Sequence, residues 1–276
     1  MKAGTTWTYG ALRWHPDIAV CEEKEIHYLA HRYAGGPTPL TAAHRLERAR
    51  AIVARPEPKD DAVAAMRARA DFLCRYLAEP VDDAWYAGLF EASPPGTWRA
   101  DFSNLTALLD AEGWAAARRL ASQMRVAYTL RHPVERAWSH TAFDLVQQGD
   151  ADALSSMSSS ELAAYARKAG VWDNSEYGRA LRAMRAVLTE GELLVTWFDE
   201  LRDDGLSWLR RLEGFLEVAP HDYPPHLFGR HVNRGPDVAM PQGFADAFSV
   251  DHARVCAELT DLGFAPPPAW TAHLGS

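Results

Sequence analysis

Arg125-Val126-Ala127-Tyr128-Thr129-Leu130-Arg131-His132-Pro133-Val134-Glu135-Arg136-Ala137-Trp138-Ser139 changes its period in mid-course, and that change decides the fold. Residues 125–130 are a short β-prone run, and Pro133 then stands where the first turn of a helix tolerates proline. Val134, Ala137, Trp138, Thr141 and Leu145 follow at helical spacing and give that helix one buried face. The alternation repeats downstream. Tyr177, Leu181, Met184 and Leu188 mark a helix, Glu192–Phe198 a buried strand around Leu193-Leu194-Val195, and Trp208, Leu212, Phe215 and Leu216 another helix. Upstream, residues 5–14 read as a helix opened by threonines and closed near His15-Pro16, with extended character in Ile18–Cys21 and Glu25–Leu29. Strands alternating with helices predict an α/β fold, a central parallel sheet flanked by helices on both faces. Helical patterns at about 39–54, 60–78 and 81–91, separated by Pro56, Pro58 and Pro80, predict a helical insertion over residues 34–95 of a single domain spanning 1–276. Ser155–Ser160 reads as a loop and helix cap.

Composition narrows the function. The 276 residues carry 29 basic and 37 acidic side chains, a formal charge of −8, which argues against a protein that coats nucleic-acid phosphates. With 47% apolar and 24% charged residues the chain matches ordinary globular proteins. A chain of this length buries roughly three-quarters of its unfolded surface. No run of about 18 uncharged apolar residues occurs, and the N-terminus lacks a secretory pattern. The expectation is a cytoplasmic protein without a membrane span. Cys21, Cys74 and Cys256 are odd in number and far apart, so neither a disulfide framework nor a zinc ribbon is indicated. Only four of the basic residues are lysines, Lys2, Lys24, Lys59 and Lys168, and two of them recur in the motifs below.

Three short segments carry chemistry. Lys2-Ala3-Gly4-Thr5-Thr6 puts an ammonium, a glycine and two hydroxyls directly before a helix, where free N–H groups and the dipole favour an anion. Arg131, at a strand end, and Ser139, about 9 Å along the following helix by its rise per residue, are placed to close on one phosphate. In Glu23-Lys24-Glu25-Ile26-His27-Tyr28, an extended backbone would point Glu25 and His27 to one face, a carboxylate and an imidazole suited to accepting a proton. Each segment has a plainer reading: a capped helix start, a structural Arg and Ser, an exposed charged loop. His27 and His31 are four apart, but no third ligand accompanies them, so no metal is expected. Walker, G-x-G-x-x-G, H-E-x-x-H and G-x-S-x-G patterns do not occur.

Taken together and in this order, the three segments resemble the sulfotransferases that use 3′-phosphoadenosine 5′-phosphosulfate (PAPS), most closely the carbohydrate and heparan-sulfate-type branch with its bacterial relatives. Lys2–Thr6 is similar to that family's 5′-phosphosulfate loop, K-x-G-T-T. Arg131–Ser139 is similar to its 3′-phosphate motif, R-[DN]-P-x-x-R-x-x-S, with His132 departing at the second position. Lys24-Glu25-Ile26-His27-Tyr28 is similar to its K-E-x-H-[FY] segment, whose Glu is taken as the catalytic base. The resemblance implies a P-loop-kinase-like fold in which Lys2, Ala3, Gly4, Thr5, Thr6 and Trp7 hold the 5′ end of PAPS, while Arg131 and Ser139 hold its 3′-phosphate. Arg234 and Gly235, in a basic loop ended by glycine, are the residues that would close over the nucleotide. Lys2, Lys24, Glu25 and His27 would be the catalytic set, Glu25 as base with His27 assisting or substituting. The implied reaction moves a sulfuryl group to a carbohydrate or small-molecule hydroxyl and leaves 3′,5′-adenosine bisphosphate (PAP), without a metal. A strand precedes the phosphosulfate loop in that fold, so one is expected upstream of Met1. A nucleotide-dependent phosphotransferase of related fold and a non-catalytic PAP-binding paralogue stand as alternatives.

Overall fold

In chain order the elements of this computed structural model are α1 (Thr5–Leu12), β1 (Ile18–Val20), α2 (Tyr28–Tyr33), α3 (Ala42–Val53), α4 (Ala62–Tyr76), α5 (Asp83–Gly88), β2 (Trp98–Ala100) and α6 (Ala111–Arg118), followed by β3 (Val126–Leu130) and α7 (Pro133–Gln147). After these come α8 (Ala153–Ser156), α9 (Ser159–Lys168), α10 (Tyr177–Arg185), β4 (Leu193–Trp197), α11 (Phe198–Asp203), α12 (Gly205–Leu216), α13 (Gln242–Asp246), α14 (Ser249–Asp261) and α15 (Pro268–Thr271). The structure describes residues 2–35, 38–56, 61–228 and 238–272. Two compact units divide the chain: unit 1 is Met1–Thr6, Met124–Pro220 and Pro224–Ser276, and unit 2 is Trp7–Gln123 with His221–Tyr223.

In unit 1, β3 and β4 pair in parallel with Val126 opposite Leu193 and Leu130 opposite Trp197. Pro133 opens α7 at its first turn, and Val134, Ala137, Trp138, Thr141 and Leu145 are all buried, as the helical spacing required. The core beside that helix is aromatic: Trp138 meets Phe244 edge to face at 5.2 Å, and Trp172 stacks on Phe248 at 4.4 Å. Full burial of such side chains contributes ~1.5–3 kcal/mol each. Ser158 caps α9 in a reciprocal pair with Glu161.

In unit 2, β1 and β2 pair in parallel over three residues, Ile18 opposite Trp98 and Val20 opposite Ala100. The helices α3, α4 and α5 lie between those strands in the chain, with N-caps from Thr41, Asp61 and Asp82. Their core is Ile52, Tyr76 and Trp85, with Tyr28 stacked on Tyr86 at 4.7 Å. Parallel strands are therefore present, but the described residues pair them two and two rather than in one continuous sheet. No helix among the described residues is long and apolar enough to cross a membrane.

Candidate active site

Unit 1 brings the two segments that the sequence marks as candidate anion-binding elements into contact. Gly4 has φ +80°, and a Cβ there would lie 3.1 Å from Leu201 Cδ1 and 3.3 Å from Phe198 Cδ2. Glycine meets both demands, left-handed backbone and close approach. The loop before α1 thus presses on α11, directly after β4. Arg131, just past β3, donates from Nη1 to the Lys2 carbonyl at 3.2 Å, joining residues 129 apart in sequence. Its guanidinium also lies over the Phe198 ring at 5.1 Å, and Tyr177 OH donates to its carbonyl at 2.6 Å. Nη2 reaches Glu135 Oε2 at 3.4 Å, whereas Nε is buried without a hydrogen-bond partner. A buried donor in that state costs about 1–3 kcal/mol and suits an anionic ligand. The convergence sits at the C-terminal ends of two parallel strands, where ligands collect in open α/β sheets.

Ser139 is half-buried on α7. One turn farther, on the same helix face, stands Phe143, and the Lys2 ammonium lies 3.4 Å above the centroid of its ring. Beneath this face, Arg136 is 1% exposed and held by neutral groups. It donates from Nε to Ser175 Oγ at 2.6 Å, from Nη2 to the Val171 carbonyl and from Nη1 to His140 Nδ1, 3.3 Å away. Ser175 Oγ in turn donates to the Pro133 carbonyl at 3.0 Å, tying this network to the first turn of α7. Burial pushes the His140 imidazole down to about 3, with Arg136 and Lys2 adding to the effect. His140 is neutral at physiological pH, and the positive charge of this corner rests on arginines and Lys2.

Unit 2 holds the carboxylate and imidazole. Glu25 Oε1 accepts from Lys24 Nζ at 2.5 Å, Oε2 accepts from the Asn104 backbone N–H at 2.9 Å, and His27 Nε2 lies 3.8 Å from the same oxygen. The extended reading of Glu25–Leu29 is corrected here. Glu25 and His27 have φ values of 64° and 59°, and α2 begins at Tyr28. Two left-handed residues fold the segment back, so the side chains meet through a tight turn rather than by strand alternation. Such a backbone costs of order 1–3 kcal/mol per residue and persists only where its surroundings hold it. The holder is residues 101–104: Glu25 N–H donates to the Phe102 carbonyl at 3.2 Å, and His27 N–H donates to Ser103 Oγ at 2.9 Å. Ser103 Oγ donates to Asp101 Oδ1 at 2.6 Å, while Asp101 Oδ2 accepts from Tyr86 OH at 2.8 Å. Burial raises the Asp101 carboxyl to about 6. It lowers the His27 imidazole to about 4 against the opposing pull of Glu25, so His27 is neutral at pH 7 and its Nδ1 is buried without a partner.

The structure therefore groups Lys2, Gly4 and Arg131 in unit 1, and Lys24, Glu25 and His27 in unit 2. Ala3 is buried, Thr5 and Thr6 form the first turn of α1, and Trp7 is the first residue of unit 2. Arg234 and Gly235 lie outside the described residues. Sequence reasoning missed Asp101, Ser103, Asn104, Phe143 and Phe198. Asn104 is notable because both ends of its carboxamide are buried without partners. No local pattern marks these residues, since each acts on a partner distant in sequence. Among the described residues no group of three or more His, Cys, Asp or Glu side chains is arranged to hold a metal.

No family model matches the chain, and neither does any curated protein. Solved structures do. The crystal structure of a sulfotransferase from Alicyclobacillus acidocaldarius superposes with a TM-score of 0.61 at 19% identity, covering 98% of this chain and 94% of that one. The sulfotransferase domain from the curacin biosynthetic pathway gives 0.50 at 14% identity, covering 96% and 95%. The fold is that of sulfotransferases.

Proposed function

We propose that the chain is a PAPS-dependent sulfotransferase acting on a carbohydrate or small-molecule hydroxyl, of the carbohydrate and heparan-sulfate type with its bacterial relatives. The observation that carries this reading is the hydrogen bond from Arg131 to the Lys2 carbonyl, which joins a glycine-bearing loop at a helix start to an arginine at a strand end. PAPS has two anionic ends, and these are two anion-binding elements. Lys2 and the N–H groups of Gly4, Thr5 and Thr6 would hold the 5′ end. Arg131, with its orphaned Nε, and Ser139 would hold the 3′-phosphate. PAPS supplies a sulfuryl group activated by its bond to the 5′-phosphate. Glu25 takes the acceptor's hydroxyl proton as the acceptor oxygen bonds to sulfur, and Lys2 with the amide cradle meets the charge that the breaking S–O bond leaves on the 5′-phosphate. Lys24 orients the Glu25 carboxylate. His27, neutral and in contact with it, assists as acceptor rather than as a cation.

A thermal-shift series coupled to radiolabelled transfer tests this. PAP at 100 times its dissociation constant is expected to add about 2.7 kcal/mol, with ADP and AMP much weaker. Equal response to ADP would favour phosphotransfer. A PAP response without transfer from labelled PAPS to any member of a hydroxyl panel would favour a non-catalytic binder. Glu25→Gln should lower transfer by ~10²- to 10⁴-fold and leave the PAP shift unchanged; full activity in that variant removes Glu25 as the base.

A further inference from the structure

We infer that Phe143 is a positioning residue for Lys2, an aromatic platform that holds the ammonium ready for the 5′-phosphate of the nucleotide. The inference rests on the donor reading above and adds a residue that no motif marks. Lys2 Nζ lies 3.4 Å from the centroid of the Phe143 ring, well inside the ~6 Å within which a cation is attracted by the ring's quadrupole. Phe143 is 40% exposed, on the side of α7 away from its buried face. It shares a face of α7 with Ser139, one turn away. Lysine carries about 2 kcal/mol of rotamer entropy, and a side chain already laid on a ring loses less of it when an anion arrives. A carboxylate in the place of Phe143 would also fix Lys2, but it would cancel the charge the phosphate needs. The ring fixes the ammonium and leaves its charge intact.

Because Phe143 is partly exposed, its replacement leaves the core of α7 in place, and the unliganded melting temperature checks this. Calorimetry of PAP binding is measured for the wild-type chain, Phe143→Leu, Phe143→Tyr, Lys2→Met and the Lys2→Met/Phe143→Leu double variant. Phe143→Leu keeps bulk and apolarity but removes the quadrupole, and PAP binding should weaken by about two- to fivefold, the range of an exposed cation–π contact. Phe143→Tyr should bind like wild type. In the Lys2→Met background, Phe143→Leu should have no further effect. In NMR spectra, the Lys2 ε-methylene protons should be shifted upfield by the ring in the wild type and return to ordinary positions in Phe143→Leu. Unchanged or tighter PAP binding by Phe143→Leu, or the same loss in both backgrounds, overturns the inference while leaving the donor reading standing. A wild-type chain that does not bind PAP overturns the donor reading and this inference with it.

Discussion

At the scale of single residues, Gly4 is the position where backbone and surroundings leave no choice. An alanine there would have to adopt a left-handed φ of 80° and at the same time displace Leu201 and Phe198 by a few tenths of an ångström. The conformational part alone costs about 1–2 kcal/mol for a residue with a Cβ. Gly4→Ala is expected to lower unit 1's stability by at least that much in urea unfolding. It should also weaken PAP binding, because relief of the contact moves the N–H groups of the loop. A variant with wild-type stability and wild-type PAP affinity would contradict the reading of this loop. Phe198 has a related double role: its ring limits the space above Gly4 and carries the Arg131 guanidinium on its face. Arg131→Lys would be a poor exchange there, since an ammonium has neither the planar fork nor the stacking surface.

At the scale of elements, the turn at Glu25–His27 is moulded by a segment some 75 to 80 residues away. Ser103→Ala removes the acceptor for the His27 N–H and leaves Asp101 Oδ1 without its donor, a loss of about 1–3 kcal/mol if both are left unsatisfied. We expect kcat for sulfuryl transfer to fall while PAP affinity stays at its wild-type value, and Ser103→Thr to rescue by keeping the hydroxyl; a kcat equal to wild type in Ser103→Ala would show that the turn holds itself. This turn also marks where the sequence stopped being legible. The helix α7 could be read because Pro133 and five buried-face positions, four apolar and Thr141, encode it locally, and β3 and β4 because their β-prone runs do. The contact between Lys2 and Arg131 joins two segments that the sequence singles out, because Lys2–Thr6 and Arg131–Ser139 are compact motifs. Nothing in Lys24-Glu25-Ile26-His27 announces two left-handed residues: glycine is absent, and the hydrogen bonds that hold the turn come from Phe102, Ser103 and Asn104. Strand pairing was similarly out of reach, since periodicity marks strands without saying which edges meet.

For the whole molecule, acid should act on the two units unequally. His27 in unit 2 and His140 in unit 1 are held by burial at about 4 and about 3, below their ordinary value of 6.5. Between those limits the unfolded chain binds protons that the folded chain refuses, so their contribution is complete above 6.5 and is lost as pH falls. In unit 2 the raised carboxyl of Asp101 works in the opposite sense: its cost is present above about 6 and disappears as pH drops toward 3.8. Burial raises the Glu23 carboxyl as well, in the same unit and with the same sign. Glu258 in unit 1, where burial would raise the carboxyl but Arg254 and Arg182 lower it on balance, and Asp83 in unit 2, lowered by its Tyr28 hydrogen bond, lose their contributions only as pH falls through about 4.5 and 3.8, so they do not separate the units above pH 4.5. Unit 1 should therefore lose more of its stability as pH falls, because unit 2 has the opposing Asp101. Hydrogen exchange between pH 7 and 4.5, corrected for intrinsic rates, should show β3 and α7 losing a larger fraction of their pH 7 protection than β1, β2 and α3; a larger fractional loss in β1, β2 and α3 would refute the assignment. Unit 1 is also discontinuous along the chain, for its first six residues join partners that begin at Met124. On a ribosome adding ~5–20 residues per second, the loop waits roughly 6 to 26 s before its arginine partner even exists. A loop made long before its partners is thus among the last pieces to be seated, and a nascent chain halted before Arg131 would expose it with nothing to close it.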